Sequence, residues 1–183
     1  MKVANIRSFS RIFLTGFMGA GKSTLGSRLA AELCYDFVDL DARVESSLGM
    51  PVTEIFSRLG EEAFRTAEVA ELRRSFERER VVVAAGGGAL ASEENMREAL
   101  RAGLVVYLSA TEDTLKERLE GSSGRPLLER GLDLGAMLSR RLPVYLMADV
   151  VLPVDDLGIE EASVGLLEAI SVFRRRFDAG EES

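Results

Sequence analysis

The feature that most constrains the fold is a glycine-rich segment between an apolar stretch and a helical pattern. Residues 16–23 read GFMGAGKS and match the pattern G-x-x-x-x-G-K-[ST] at every fixed position. The apolar residues 12–14 before it predict a strand, and leucines at 25, 29 and 33 share one face of a predicted helix after it. A strand, a glycine-rich loop and a helix in this order are typical of a site that holds phosphates at the helix N-terminus.

The residue types of this loop suit a nucleoside triphosphate. Glycine lets the backbone N–H groups surround phosphate oxygens in conformations that other residues resist. Lysine at position 22 is one of only three in the chain, which otherwise uses arginine, and we expect it to bridge the outer phosphates. We expect the Ser23 hydroxyl to bind Mg²⁺. The sequence thus predicts bound ATP and Mg²⁺, with six loop residues around the nucleotide: Gly19, Ala20, Gly21, Lys22, Ser23 and Thr24.

Short apolar runs alternate with amphipathic helices along the rest of the chain, and no repeat or linker interrupts them. Further strands are predicted at 37–38, 81–85, 104–108 and 150–152, and helices at 53–79 with a break at Gly60, at 92–101, at 111–118, and at the end, where Leu166, Ile170, Phe173 and Phe177 share a face. This alternation predicts one α/β domain over residues 1–183, with helices on both faces of a parallel sheet. Ligands bind beyond the carboxyl ends of such strands.

Composition excludes several other kinds of protein. The 183 residues contain no histidine, which excludes Ser-His-Asp hydrolases and His-ligated zinc or haem. The one cysteine, Cys34, has no disulfide partner, and we expect it to be a small core residue in a reducing compartment, the cytoplasm. A net charge of −7 argues against nucleic acid, and no apolar run approaches a membrane span or a signal peptide. We expect a monomer with small-molecule partners.

Several further segments, in order, make the chain resemble the shikimate kinase family. They are DLD at 39–41, FR at 64–65 with Glu68, AGGGA at 85–89, Arg118 with RPLL at 125–128, and RLPVY at 141–145. The resemblance covers about residues 11–155, with Met18 where some members have proline. It implies a three-layer P-loop fold like that of nucleoside monophosphate kinases, with five parallel strands in the order 2-3-1-4-5. It also implies the reaction ATP + shikimate → ADP + shikimate 3-phosphate, in chorismate and aromatic amino acid biosynthesis.

The resemblance assigns two arginines to a carboxylate on the acceptor, one of them in a helical substrate-binding region at about 41–79. Arg65 and Arg141 would pair with the carboxylate through their planar guanidinium groups, which suit bidentate hydrogen bonding. Either arginine could instead be an ordinary surface charge. Glu68 follows Arg65 by one helical turn, so it would fix the rotamer of Arg65 and contact the substrate.

The resemblance also assigns the residues that follow the second and third strands. Asp39 would hold Mg²⁺ together with Ser23, because hard cations prefer oxygen ligands. Asp41 would accept a hydrogen bond from the acceptor hydroxyl and act as a base or orienting group. Either aspartate could instead cap the next helix. Gly87 and Gly88 would contact the substrate ring, whereas the other interpretation of the triple glycine is a loose turn.

A segment rich in glycine, serine and arginine, at about 119–131, is interpreted as a mobile lid. Proline at 126 favours an extended conformation for Arg125, which would close over the phosphates and act in catalysis. Arg118 would lie beside the adenine, as the resemblance implies, and a guanidinium can stack on a base. An ordinary surface loop remains the alternative for this segment.

Two other functions stay open at this stage. One is a related small-molecule kinase acting on gluconate or a nucleotide, and the arginine pair favours an acceptor with a carboxylate over a nucleotide. The other is a non-catalytic nucleotide-binding module, which would bind ATP without turning it over. The intact set of Lys22, Ser23, Asp39 and Asp41 argues against the second.

Overall fold

The computed structural model describes residues 9–120 and 133–180 and contains a five-stranded sheet with helices packed against it. The strands are β1 (Arg11–Thr15), β2 (Asp36–Asp39), β3 (Val81–Ala84), β4 (Leu104–Ser109) and β5 (Val150–Pro153). The helices of the described ranges are α1 (Lys22–Leu33), α2 (Leu40–Leu48), α3 (Val52–Arg58), α4 (Gly60–Ser75), α5 (Glu93–Ala102), α6 (Glu112–Glu120), α7 (Leu134–Tyr145) and α8 (Ile159–Asp178).

All strand pairs are parallel, and their order is β2-β3-β1-β4-β5, which confirms the predicted sheet. The central strand β1 pairs with β3 through Phe13 and Val83 and with β4 through Phe13 and Val105. Every residue of β3 is buried, as expected for a strand covered by helices on both faces.

The core lies on both faces of this sheet. Ile12 and Leu14 of β1 belong to the cluster that α1 and α8 cover, whereas Phe13 between them belongs to the cluster on the opposite face. This separation follows from the alternation of side chains along a strand. A third, smaller cluster lies among α2, α3 and α4 and contains Val44, Ile55, Phe56 and Phe64.

The neighbouring strands β2, β3 and β1 bring three chemically unusual segments to one edge of the sheet. Beyond β1 comes the glycine-rich loop, β2 ends at Asp39, and β3 is followed by the triple glycine at 86–88. Because parallel strands have their carboxyl ends on the same side, these segments meet there.

Two helices differ from the sequence-based expectation. The predicted helix at 53–79 is two helices, α3 and α4, divided at Leu59 and ended at Ser75, and α2 precedes them from Leu40. The side chain of Asp39 caps α2 by accepting hydrogen bonds from the N–H groups of Asp41 and Ala42. Helix α7 was not predicted, and it continues to Tyr145 although it contains Pro143.

One side chain predicted in the core is exposed. Cys34 is not a core residue: it follows the last turn of α1 in the left-handed region, with φ 55°, and its N–H donates to the carbonyls of Ala30 and Ala31. Phe177, which shares a face of α8 with Leu166, Ile170 and Phe173, is 65% exposed.

The predicted lid at 119–131 lies almost entirely outside the described residues. Residues 119 and 120 form the end of α6, and residues 121–131 lie outside the described residues. None of the helices in the described ranges is long and apolar enough to cross a membrane.

Candidate active site

A cleft of about 500 Å³ opens over the carboxyl ends of the strands. Twelve of the residues predicted for the site line it: Gly19, Gly21, Lys22, Ser23, Thr24, Asp41, Arg65, Glu68, Gly87, Gly88, Arg118 and Arg141. Of the other predicted residues, Ala20 and Asp39 do not line the cleft, and Arg125 lies outside the described residues.

The phosphate loop depends on glycine where the backbone passes close to the sheet. A Cβ at Gly16, which has φ +143°, would lie 2.6 Å from the Leu108 carbonyl oxygen of β4. Gly21 precedes α1 with φ 91° and provides no side-chain cap for the first turn. The N–H groups of that turn therefore face the cleft with the positive end of the helix dipole, an arrangement that suits an anion.

Lys22 lies along the loop, with its charge next to the loop carbonyls. Its Nζ donates to the carbonyl oxygens of Gly16 at 3.0 Å and Phe17 at 2.8 Å. The side chain of Ala20 is buried and does not line the cleft, and its N–H donates to the carbonyl oxygen of Phe17 at 3.2 Å within the loop.

Ser23 and Asp39 are joined across the gap between α1 and β2. The Ser23 hydroxyl donates to Oδ2 of Asp39 at 2.5 Å, while Oδ1 of Asp39 caps α2. The interpretation of Asp39 as a helix cap therefore describes this structure, and the same side chain also accepts a hydrogen bond from Ser23, with which it is predicted to hold Mg²⁺. In the described residues no group of three or more carboxylates and thiols could hold a metal. Two oxygen donors nevertheless fit Mg²⁺, which keeps several waters and takes further oxygens from phosphates.

The triple glycine allows three side chains to approach the backbone closely. A Cβ at Gly86 would lie 2.5 Å from Oδ1 of Asp41 and would also overlap the carboxylate of Glu68. A Cβ at Gly88 would overlap the guanidinium of Arg65. The segment is therefore not a loose turn, because its missing side chains make room for the functional groups of the cleft.

Arg65 of α4 is held by two glutamates and an aromatic ring. Its Nη1 donates to Oε2 of Glu68 at 2.8 Å, its Nη2 donates to Oε1 of Glu61 at 3.2 Å, and its guanidinium lies 5.2 Å from the ring centre of Phe64. Burial alone would lower the pKa of Arg65, but the charges and hydrogen bonds of Glu68 and Glu61 outweigh it and raise that pKa. The guanidinium thus remains charged and fixed in direction.

Glu68 is the buried acid of the site, with a side chain only 1% exposed. Among the residues that the structure describes, its second oxygen, Oε1, has no hydrogen-bond partner. Burial raises the pKa of Glu68 from its usual 4.5. The charge of Arg65 opposes this rise, and the nearby charge of Asp41 adds to it. A buried polar atom without a partner is costly in a folded protein, so Oε1 is suited to a donor that a ligand supplies.

Arg141 of α7 is a constrained residue rather than a solvated one. Its Nη1 donates to the carbonyl oxygen of Gly87 at 2.7 Å, and its guanidinium lies 5.4 Å from the ring centre of Phe17. Phe17 belongs to the phosphate loop and is almost completely buried. The arginine on the acceptor side therefore packs directly against the loop on the nucleotide side.

Arg118 lies on α6 and lines the cleft. Its side chain is exposed, and Nη2 donates to the carbonyl oxygen of Val154 at 2.7 Å, just after β5. This hydrogen bond fixes the guanidinium plane at the surface, where a planar base could stack on it.

Three further residues line the cleft that sequence analysis did not single out: Met18, Glu45 and Val52. Glu45 follows Asp41 by four residues on α2, within the helical region predicted at about 41–79, and this spacing places both residues on one face of the helix. Phe56 and Phe64 are buried in the third cluster and also line the cleft, so they belong to both the core and the site.

A parallel sheet in this order, with a phosphate loop after its central strand and two arginines facing that loop, defines a P-loop kinase of a small molecule. The shikimate kinase family model matches residues 18–170. The shikimate kinase of Moorella thermoacetica is 41% identical over 155 residues, which cover 84% of this chain and 88% of that protein.

Solved structures agree with this match. A shikimate kinase from Bacteroides thetaiotaomicron is 37% identical with a TM-score of 0.77, covering 87% of this chain and 97% of that one. A shikimate kinase from Acinetobacter baumannii in complex with shikimate is 30% identical with a TM-score of 0.81, covering 98% of each chain. The chain therefore belongs to the shikimate kinase family. Members of this class are ATP-dependent enzymes that transfer a phosphoryl group to an alcohol.

Proposed function

We propose that this chain transfers the γ-phosphoryl group of ATP to the 3-hydroxyl of shikimate. The observation that carries the proposal is the meeting of two arginines at adjacent residues of one turn. Arg65 contacts Gly88 and Arg141 contacts Gly87, in the same cleft as Lys22. Two guanidinium groups beside a phosphate loop suit an acceptor that carries a carboxylate.

The nucleotide side of the cleft would hold ATP through the backbone of the phosphate loop. The N–H groups at Gly19, Gly21 and the first turn of α1 would donate to the phosphates, and Thr24 lines the same wall. Lys22 would exchange its loop carbonyls for the outer phosphate oxygens, and Arg118 would stack on the adenine. Arg125 is proposed to close over the phosphates from the segment outside the described residues.

Ser23 and Asp39 would hold Mg²⁺, Ser23 through its hydroxyl and Asp39 through a coordinated water. When bound, the metal ion neutralises charge on the phosphate oxygens. Asp39 has a second task, because its Oδ1 keeps the first turn of α2 in place. The side chain of Asp39 therefore links the proposed metal-binding position to Asp41, which lies two residues later in the first turn of α2.

Asp41 would orient the acceptor hydroxyl. Its Oδ1 reaches the space above Gly86, where the carboxyl end of β3 meets the cleft. As the hydroxyl oxygen attacks the γ-phosphorus, its proton passes to the carboxylate of Asp41, and the bond from phosphorus to the ADP oxygen breaks. A loose phosphoryl-transfer transition state asks mainly for position, so Asp41 does not need strong basicity.

The ring of the acceptor would lie against an aromatic wall. Phe56 and Phe64 form that wall, with ring centres 4.9 Å apart. Gly87 and Gly88, which follow β3, line the same cleft and would contact the ring of the acceptor. Glu68 would accept a hydrogen bond at its unpaired Oε1. An aromatic wall favours a cyclic acid over an open-chain acid such as gluconate, although both carry a carboxylate.

The experiment that tests this proposal is an ADP-release assay with Mg²⁺ and a panel of acceptors. We expect kcat/KM for shikimate to exceed that for gluconate and for nucleoside monophosphates by at least about 10³-fold, the discrimination that specific polar contacts provide. ³¹P NMR of the product should show a monoester at the 3-hydroxyl. ATP binding without turnover of any acceptor would instead support the non-catalytic module.

We further propose that the protein acts as a monomer in the cytoplasm. The roles proposed above are all filled by residues of one chain, and the sequence contains a single cysteine, so no internal disulfide can form. Neither observation involves a second subunit or an oxidising compartment.

A further inference from the structure

A buried tyrosine hydroxyl behind the cleft has no role in the scheme above. Tyr145 is the last residue of α7, is fully buried, and donates from Oη to the carbonyl oxygen of Gly87 at 2.6 Å. Nη1 of Arg141 donates to the same oxygen at 2.7 Å. Arg141 and Tyr145 are four residues apart, so they project from one face of the helix and share one acceptor.

The position of this hydroxyl is set by the sheet. The ring of Tyr145 packs on that of Tyr107 from β4, with centres 5.1 Å apart. Burial raises the pKa of Tyr145 to about 12, so the phenol stays protonated and remains a donor at any working pH. A carbonyl oxygen has two lone pairs, and the two donors together use both.

We infer that Tyr145 is a positioning residue for acceptor binding, acting through the Gly87 carbonyl on Arg141 and on the turn at 86–88. The inference rests on the proposed carboxylate contact of Arg141. Tyr145 does not line the cleft, so it touches no substrate itself. The hydroxyl of Tyr145 holds the carbonyl of Gly87 in place, and that carbonyl in turn orients the guanidinium of Arg141. Without the hydroxyl, Arg141 is the only one of the two donors left on that carbonyl.

The test replaces Tyr145 by phenylalanine, which keeps the ring and removes only the hydroxyl. We expect the KM for shikimate to rise about 3- to 10-fold, the usual net effect of one hydrogen bond, with the KM for ATP unchanged. Tyr107→Phe is the matched control, because Tyr107 is buried in the same ring pair and does not bond to Gly87. Since KM does not depend on the folded fraction, a partly unfolded preparation still reports the result.

A double-mutant cycle separates this inference from the proposed function. The effect of Tyr145→Phe on shikimate KM should shrink to less than about 2-fold when Arg141 is already alanine, because the two residues act through one carbonyl. If Arg141→Ala weakens shikimate binding and Tyr145→Phe does not, the inference is wrong and the proposed contact stands. If Arg141→Ala itself has no effect, the proposed carboxylate contact fails. Equal rises in both KM values for Tyr145→Phe would mark a merely structural role and overturn the inference.

Discussion

Arg65 and Gly88 come so close that residue 88 cannot carry a methyl group unless the guanidinium moves. The same guanidinium is bonded to Glu68, whose carboxylate occupies the space above Gly86 together with that of Asp41. The triple glycine and the charged side chains of the cleft therefore form one packed arrangement. Changes at the glycines should act on acceptor binding through these side chains.

Gly88→Ala should weaken acceptor binding with little effect on the fold. The clash involves the end of a flexible side chain, so Arg65 can move aside while the turn stays. We expect the KM for shikimate to rise about 10-fold or more and the melting temperature to change little, because displacement removes a charged hydrogen bond. Gly165→Ala in α8, where the nearest atom is 3.6 Å from the added Cβ, is the control. An unchanged shikimate KM in Gly88→Ala would show that the position of Arg65 does not matter.

Lys22→Met should strongly slow turnover while the protein stays folded. Among the described residues, Lys22 is the only lysine whose Nζ lies at the phosphate loop. The negative charge that develops on the phosphoryl group during transfer needs a fixed cation. We expect kcat to fall about 10²- to 10³-fold, measured by ADP release. Lys116→Met, an exposed lysine paired with Glu112, should leave kcat as it is. Full activity in Lys22→Met would remove the assigned role.

Asp41→Asn should slow the chemical step and leave nucleotide binding intact. The amide keeps the shape of the carboxylate but cannot take the hydroxyl proton, so kcat should fall about 10²-fold with a small change in the KM for ATP. Asp36→Asn, an exposed residue at the start of β2, provides the control. A rate equal to that of the wild type would leave Asp41 as a residue of the first turn of α2 only.

Glu68→Gln should change how stability depends on pH. Because folding raises the pKa of Glu68, its ionised form is less favourable in the folded state than in the unfolded state. Stability from this group is present below pH 4.5 and is lost as pH rises through the raised folded pKa. As pH rises from 4.5 to neutral, the melting temperature of the wild type should therefore fall relative to that of Glu68→Gln.

This comparison uses the slope of the melting temperature against pH, so a pH-independent change in packing at this position does not affect it. Glu61→Gln removes the exposed partner of Arg65 and serves as the control. A temperature difference that stays constant over the pH range would mean that Glu68 titrates alike in the folded and unfolded states.

The sequence was most informative where a residue type is dictated by one local requirement. The phosphate loop could be predicted because glycine, lysine and serine each answer a separate need within eight residues. The convergence of Asp39, Asp41 and the triple glycine followed from their places after neighbouring strands of a parallel sheet.

What could not be predicted depends on contacts between distant parts of the chain. Nothing near Gly87 in the sequence indicates that its carbonyl accepts from both Arg141 and Tyr145, which lie on a helix more than fifty residues later. The reason for glycine at 86 and 88 also lies in other helices, since the interfering groups belong to Asp41, Glu68 and Arg65. Cys34 was misplaced because an apolar neighbourhood in sequence does not reveal a left-handed helix end.

The most direct test of the proposed acceptor site compares shikimate with its methyl ester, which keeps every hydroxyl and removes the negative charge. In the wild type we expect the KM of the ester to exceed that of shikimate by about 10- to 100-fold, and in Arg65→Ala/Arg141→Ala we expect the two values to converge. Arg176→Ala, an exposed arginine near the end of α8, should retain the wild-type difference. If the double variant discriminates between the two acceptors as strongly as the wild type, the arginines do not bind the carboxylate and the account of this cleft is wrong.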